Sequence, residues 1–111
     1  MNRALGTFAF VLSCFAFSCG KSKPSETEIV VGAFLSETGG DATFGKDTRS
    51  GIELAVDEVN KAGGVRGKKV KVIYEDDKSN PTEASNKVRQ LIDRDKVIAI
   101  LGEVASSRSL A

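Results

Sequence analysis

Hydrophobic and polar positions divide the chain into an apolar leader and a body with two alternating periodicities. Ala4 to Phe17 is almost wholly apolar, a run too short to span a membrane. From Glu28, the β-branched run Ile29-Val30-Val31-Gly32-Ala33-Phe34 predicts a strand, followed by a polar, glycine-bearing loop from Leu35 to Gly45. Ile52, Ala55, Val56 and Val59 then recur at helical spacing with charges between them, and Asn60-Lys61-Ala62-Gly63-Gly64 predicts a glycine stop. Val70-Lys71-Val72-Ile73-Tyr74-Glu75 alternates, as a half-exposed strand does, and runs into Asp76-Asp77-Lys78-Ser79-Asn80-Pro81. There Asn80 is placed to cap a helix and Pro81 to occupy its first position. Ala84, Val88, Leu91 and Ile92 mark one helical face, which Arg94-Asp95-Lys96 interrupts. The five apolar residues Val97-Ile98-Ala99-Ile100-Leu101 predict a strand buried on both faces and ending at Gly102. Beyond it, Ser106-Ser107 read as N-cap residues, with Leu110 and Ala111 opening an apolar helix face.

The order is βαβαβ with the start of a third helix, which predicts an α/β fold: a parallel sheet with helices on both faces. In such sheets the ligand crevice lies at the carboxyl ends of the strands, near the reversal of strand order. If the order begins 2-1-3, the loops Leu35 to Gly45 and Gly102 to Ser107 flank that point, with Asp76 to Asn80 beside them. Ser106 and Ser107 then either cap a helix or, with the free N–H groups of its first turn, receive a carboxylate or phosphate. Nucleotide motifs fail. Gly32-Ala33-Phe34 has no second glycine in register for a dinucleotide fingerprint, and Gly67-Lys68 has Ala62 where a P-loop needs glycine and Lys69 where it needs Ser or Thr. Gly63 to Lys68 reads as a helix stop and turn.

Composition narrows the chemistry. At 111 residues the chain is one domain or, as its abrupt end at a helix start suggests, a piece of a larger one. Sixteen basic and fifteen acidic side chains leave a net charge of +1, without the basic stripe of a nucleic-acid binder. The absence of His removes Ser-His and Cys-His dyads and the commonest metal ligand. No metal or cofactor is expected. Arg3 followed by the apolar run predicts a secretory signal over residues 1–18, and residues 19–27 form a polar tether. Ala16 and Ser18, three and one before Cys19, resemble a bacterial lipobox, although Ala16 stands where its pattern usually has Leu and Phe17 where it has a small residue. Cys14, after Val11-Leu12-Ser13, fits locally but would leave an apolar tail on the mature protein, so Cys19 is the expected lipid-bearing residue. The other reading of the two cysteines is a disulfide or simple burial in the apolar run. Removing residues 1–18 takes Arg3 away and leaves fifteen charges of each sign. The mature part is thus charge-balanced overall, and its body, residues 28–111, is held at a membrane surface by the lipid chains.

Several phrases together carry a family resemblance: Gly32-Ala33-Phe34-Leu35-Ser36-Glu37-Thr38-Gly39, Phe44-Gly45, Gly51 through Val65, Glu75 through Pro81, and Gly102 through Ser107. They resemble the leucine, isoleucine and valine binding proteins, the extracytoplasmic solute-binding proteins of ABC importers, over about Ile29 to Ala111. The resemblance implies a type I periplasmic-binding-protein fold of two α/β lobes joined by hinge strands, of which this chain is the first part of lobe one. It also implies that Ser106 gives its hydroxyl and N–H to a ligand carboxylate, with Ser107 as its structural partner. By the same resemblance Phe44 packs an aromatic ring on the ligand, and Thr38 and Gly39 line the cleft mouth. Family members with a disulfide in this lobe carry cysteines where Ser79 and Ala105 stand here, so that bridge is missing. Glu103, close to the serine pair, either points away or meets an ammonium or other polar group.

The expected function is binding without chemistry. An amino acid or amide docks on this lobe, a second lobe closes over it, and a membrane permease recognises the closed form. The protein is expected to be a monomer, periplasmic or otherwise extracytoplasmic, tethered to the membrane by lipid. Rival readings are a receptor's ligand-sensing domain of the same fold and an enzyme with Ser106 as nucleophile. The latter lacks a His or a G-x-S-x-G elbow. Phe44 has a second role open to it, as a hydrophobic staple before the first helix. Asp76-Asp77 reads as a solvated turn, since adjacent acids in a strand face opposite ways and make a poor catalytic or calcium pair.

Overall fold

The computed structural model describes residues 27–111. The signal segment, Cys14, Cys19 and all of the tether but its last residue lie outside the described residues. The elements run strand β1 (Glu28–Leu35), helix α1 (Ala42–Lys61), strand β2 (Lys69–Asp76), helix α2 (Pro81–Asp93), strand β3 (Ala99–Leu101) and the short helix α3 (Ser106–Ser109). The strands form one parallel sheet, as the alternation of elements implied, and their order is β2-β1-β3.

Because successive side chains in a strand point to opposite faces, the register sorts the residues. Gly32 pairs with Ile73 on one side and Ile100 on the other. That row lies beneath α2, where Phe34, Ala84 and Leu91 are buried, with Ile73, Val88, Val97 and Ile100 packed on them. Burying Leu91 completely contributes about 1.5–3 kcal/mol. The next row, Ala33 and Tyr74, points the other way, and there the Arg49 guanidinium of α1 lies 4.1 Å from the Tyr74 ring centre. Helices therefore cover both faces. No described helix is long and apolar enough to cross a membrane.

Local chemistry sets the ends of the elements. At the end of α1 the Gly63 N–H donates to the Asn60 carbonyl (3.2 Å) and the Gly64 N–H to that of Val59 (2.9 Å), the glycine stop read from the sequence. The Asn60 amide meanwhile donates to the Val70 carbonyl and accepts from the Val70 N–H, both at 2.8 Å, covering part of the outer edge of β2. Asn80 caps α2 by accepting from the N–H groups of Thr82 (2.8 Å) and Glu83 (3.1 Å), with Pro81 just behind it.

Three expectations need correction. The first loop ends earlier, because α1 begins at Ala42 and takes Phe44 and Gly45 into its first turns. Within α1, Ile52 and Val56 are half-buried but Ala55 and Val59 are exposed, so its covered stripe is narrower than the spacing implied. Finally, β3 has three residues rather than five and is not buried on both faces, with Ala99 exposed and Leu101 40% exposed. These two side chains share the α1 face through their pairing with Val31 and Ala33, yet α1 lies over β2 and β1. No described helix stands above them.

Candidate functional site

At the carboxyl ends of the strands, three loops meet: Ser36 to Asp41 after β1, Asp77 to Asn80 after β2, and Gly102 to Ala105 after β3. The first two are sewn together by carboxylates. Asp76 Oδ1 accepts from the N–H groups of Glu37 (3.0 Å), Thr38 (3.2 Å) and Lys78 (2.9 Å), while Oδ2 accepts from the Thr38 hydroxyl (2.6 Å). Burial alone would raise the Asp76 carboxyl, but these hydrogen bonds outweigh it and hold the group below the usual carboxylate range. Asp77 is fully buried and accepts from the Ser36 hydroxyl (2.7 Å) and the Ser79 N–H (2.9 Å). The Ser79 hydroxyl donates to the Thr38 carbonyl (3.0 Å) and accepts from the Asp41 N–H (3.1 Å). The solvated turn expected at Asp76-Asp77 is thus an internal brace, because both carboxylates find donors in the neighbouring loop.

Gly39 stands where these loops come closest. Its φ of +89° lies in the left-handed region, and a Cβ there would come within 2.6 Å of the Lys78 carbonyl oxygen. Thr38 and Gly39 are exposed at the mouth of the loops, as a cleft-lining role requires, but the Thr38 hydroxyl proton is committed to Asp76. Phe44 is 64% exposed, so its ring is open to solvent rather than packed as a staple.

The third loop carries the serine pair. The residue that caps α3 is Ala105, without any side-chain cap, and Ser106 and Ser107 follow inside the first turn. The expected Ser cap is therefore absent. Both serines are exposed, and among the described residues neither their hydroxyls nor their N–H groups have a partner. Glu103 turns inward. It accepts from the Arg108 guanidinium (Nε to Oε2, 2.5 Å) and from the Ala105 N–H (3.4 Å), so its charge is compensated beside the serines. Arg108 also donates from Nη2 to Asp41 (2.7 Å). Glu103, and to a smaller extent Asp41, raise the guanidinium above its ordinary value against the opposing effect of burial.

Arg108, which ties these loops together, is the residue of the candidate site that sequence reading missed. Its signal was faint: an acid and a base five residues apart, on either side of a helix start. A separate cavity of about 210 Å³ lies between α2 and α3, lined by Phe34, Ala84, Val88, Arg89, Arg108 and Ser109, and none of the nominated ligand residues lines it. Among the described residues no group of three or more acidic or sulfur ligands could hold a metal ion. The arrangement offers neutral hydrogen-bond donors on a surface stiffened by buried charge, a set suited to holding a polar solute.

Residues 28–111 match a family described as periplasmic binding protein. An amino acid binding protein of Pseudomonas aeruginosa is 34% identical over 91 residues, covering 82% of this chain and 24% of that protein. The branched-chain amino acid transporter substrate binding protein LivJ of Streptococcus pneumoniae, solved with isoleucine, superposes with a TM-score of 0.73 at 36% identity, covering 74% of this chain and 24% of that one. An ABC transporter solute binding protein of Rhodopseudomonas palustris, solved with 3,4-dihydroxybenzoic acid, gives 0.68 at 35% identity, covering 77% and 23%. The chain spans about a quarter of the length of these relatives.

Proposed function

The chain belongs to the periplasmic binding protein family, and from that premise we propose that the complete protein is an extracytoplasmic solute-binding lipoprotein delivering a branched-chain or related amino acid to an ABC importer. The observation that carries this reading is the pair of exposed serines, Ser106 and Ser107, at the carboxyl end of the sheet, without a hydrogen-bond acceptor among the described residues. Among the described residues their hydroxyl and N–H groups are donors without acceptors, and a carboxylate is the acceptor that best satisfies several donors at once. With α3 only four residues long, these local groups rather than a helix dipole do the binding. Isoleucine and 3,4-dihydroxybenzoic acid, bound by two of the similar proteins, differ in body but share a carboxylate. That common group supports placing the carboxylate on this lobe and leaving selection among solutes to residues elsewhere.

In this reading Phe44 covers the apolar body of the solute, and Thr38 and Gly39 form the rim through shape rather than through a free hydroxyl. A second lobe closes over the ligand and compensates its ammonium, since a buried charge must be paired. Cys19 carries the lipid that keeps the monomeric protein at the membrane beside its permease. Binding takes place without bond making or breaking.

Isothermal calorimetry on the complete mature protein tests the assignment, with L-isoleucine, L-leucine, L-valine and 3,4-dihydroxybenzoate as probes. At least one is expected to bind, and Ser106→Ala to weaken it by roughly tenfold to a hundredfold, the loss of a hydrogen bond to a charged group. Unchanged affinity in Ser106→Ala would remove the serine from the site.

A further inference from the structure

We propose that Arg108 is a positioning residue, a guanidinium that fastens the three loops at the carboxyl end of the sheet so that Ser106 and Ser107 are held in one orientation. The inference rests on the functional reading of those serines but is argued from contacts outside them. Arg108 is 6% exposed, and its Nε lies 2.5 Å from Glu103 and 3.9 Å from Asp77 while Nη2 lies 2.7 Å from Asp41. Those three acids belong to three different loops. Asp41 precedes α1 and ends the loop that bears Thr38 and Gly39; Asp77 follows β2; Glu103 follows β3.

α3 packs on α2, but its side-chain ties to the loops after β1 and β2 run through Arg108. The helix is four residues long, and the strand that leads to it has three. The Ser109 hydroxyl donates to the Glu103 carbonyl (2.8 Å), but that bond stays within the same segment. The tie to Asp41 instead spans 67 residues. Burying an ion pair adds little net stability compared with an apolar replacement of the same shape, so the return from this arrangement is geometric. Its cost is visible in Asp77 Oδ2 and Glu103 Oε1, which are buried without a hydrogen-bond partner among the described residues. A guanidinium suits the task because its planar fork directs separate N–H groups at separate carboxylates, whereas an ammonium is a point charge on a flexible stem.

Asp41→Asn in the complete mature protein tests this without removing the buried arginine. Asp41 is 42% exposed at its side chain and makes no side-chain cap of α1, and Asn is as good a residue before a helix. The variant therefore removes the charge from the cross-loop tie and weakens it while leaving the fold intact, which an unchanged unfolding midpoint verifies. Hydrogen exchange on the ligand-free protein is expected to speed up about fivefold to tenfold at residues 103–109, the size of effect that coupled charges carry, while α2 and β1 keep their rates. Arg108→Lys should act in the same direction, and Asp41→Glu should restore much of the protection. Exchange at 103–109 unchanged in both Asp41→Asn and Arg108→Lys overturns the proposal.

Affinity for L-isoleucine separates this inference from the function on which it rests. Asp41→Asn removes a negative charge, so a purely electrostatic role would tighten the binding of a carboxylate, whereas loss of positioning weakens it. If Ser106→Ala loses affinity and Asp41→Asn does not, the positioning role fails and the serine site stands. If neither variant loses affinity, the serine site fails, and hydrogen exchange alone decides whether Arg108 couples the loops.

Discussion

Asp76 and Asp77 are neighbours in sequence, yet one gathers the donors of the loop after β1 and the other disappears beneath that loop. Strand geometry explains the division, because consecutive side chains leave on opposite sides. The lowered Asp76 carboxyl has a consequence for stability. A carboxyl whose folded value lies below its unfolded value stabilises the fold fully above about pH 4, and that contribution disappears as pH falls through the folded value. Asp76→Ala is expected to destabilise the protein by about 1–3 kcal/mol at pH 7, leaving several N–H groups without an acceptor. In urea unfolding, the gap between wild type and variant should narrow from pH 7 to pH 3. A gap that stays constant across that range would show that the charge of Asp76 contributes nothing. Thr38 also illustrates what residue type alone conceals: a hydroxyl at the cleft mouth looks available to a ligand until its acceptor is known.

Among the elements, α1 shows most clearly how packing assigns different meanings to the same residue. Gly45 and Gly51 both lie inside this helix, where glycine is intrinsically poor. A Cβ on Gly45 would come within 1.9 Å of the Ser36 carbonyl oxygen, so glycine lets the first turns of α1 rest on the loop after β1. At Gly51 nothing lies within 4 Å. Gly51→Ala is therefore expected to stabilise the protein by about 0.5–1 kcal/mol. Gly45→Ala should destabilise it by about 1–3 kcal/mol or more, because the neighbour is backbone and must shift. Thermal unfolding of the two variants checks the pair, and equal midpoints would mean that the close approach of helix and loop is not maintained in solution. The start of α1 was hidden for a related reason: Ala42, Thr43 and Phe44 have no helical periodicity of their own, and the helix is continued to them by contacts with the loop. α2 was easier to place because Asn80 and Pro81 announce its first turn locally.

For the whole molecule, the exposed surfaces are as informative as the buried ones. Phe44, Val104 and the two serines face solvent around the carboxyl end of the sheet, beyond its buried residues. A solute held only there would remain wet and its ammonium uncompensated, so closure of a second lobe is part of the proposed binding cycle. Small-angle scattering of the complete protein should show a smaller radius of gyration on saturation with its solute, and the unfolding midpoint should rise. A hundredfold excess over Kd corresponds to about 2.7 kcal/mol of added stability. Stabilisation without any compaction would argue for a site that does not close.

Much of this architecture is written locally. Alternating periodicities, the glycine stop after α1 and the Asn-Pro start of α2 depend on residues a few positions apart, so they could be read as a βαβαβ succession with parallel strands, whereas the strand order β2-β1-β3 came from the packed sheet. The sequence also carried the family phrases and the position of Ser106 at the carboxyl end of the sheet. The state of the charges and of the faces came instead from packing. Asp77 is buried because Ser36, 41 residues away, supplies a donor, and Arg108 is engaged because Asp41 lies within reach across 67 residues. Phe44 and Leu101 stay exposed although their residue types favour burial, since whether a side chain meets a neighbour depends on which elements stack above it. Periodicity reports which side of an element is apolar; only the packed chain supplies what that side, or a charge beside it, comes to face.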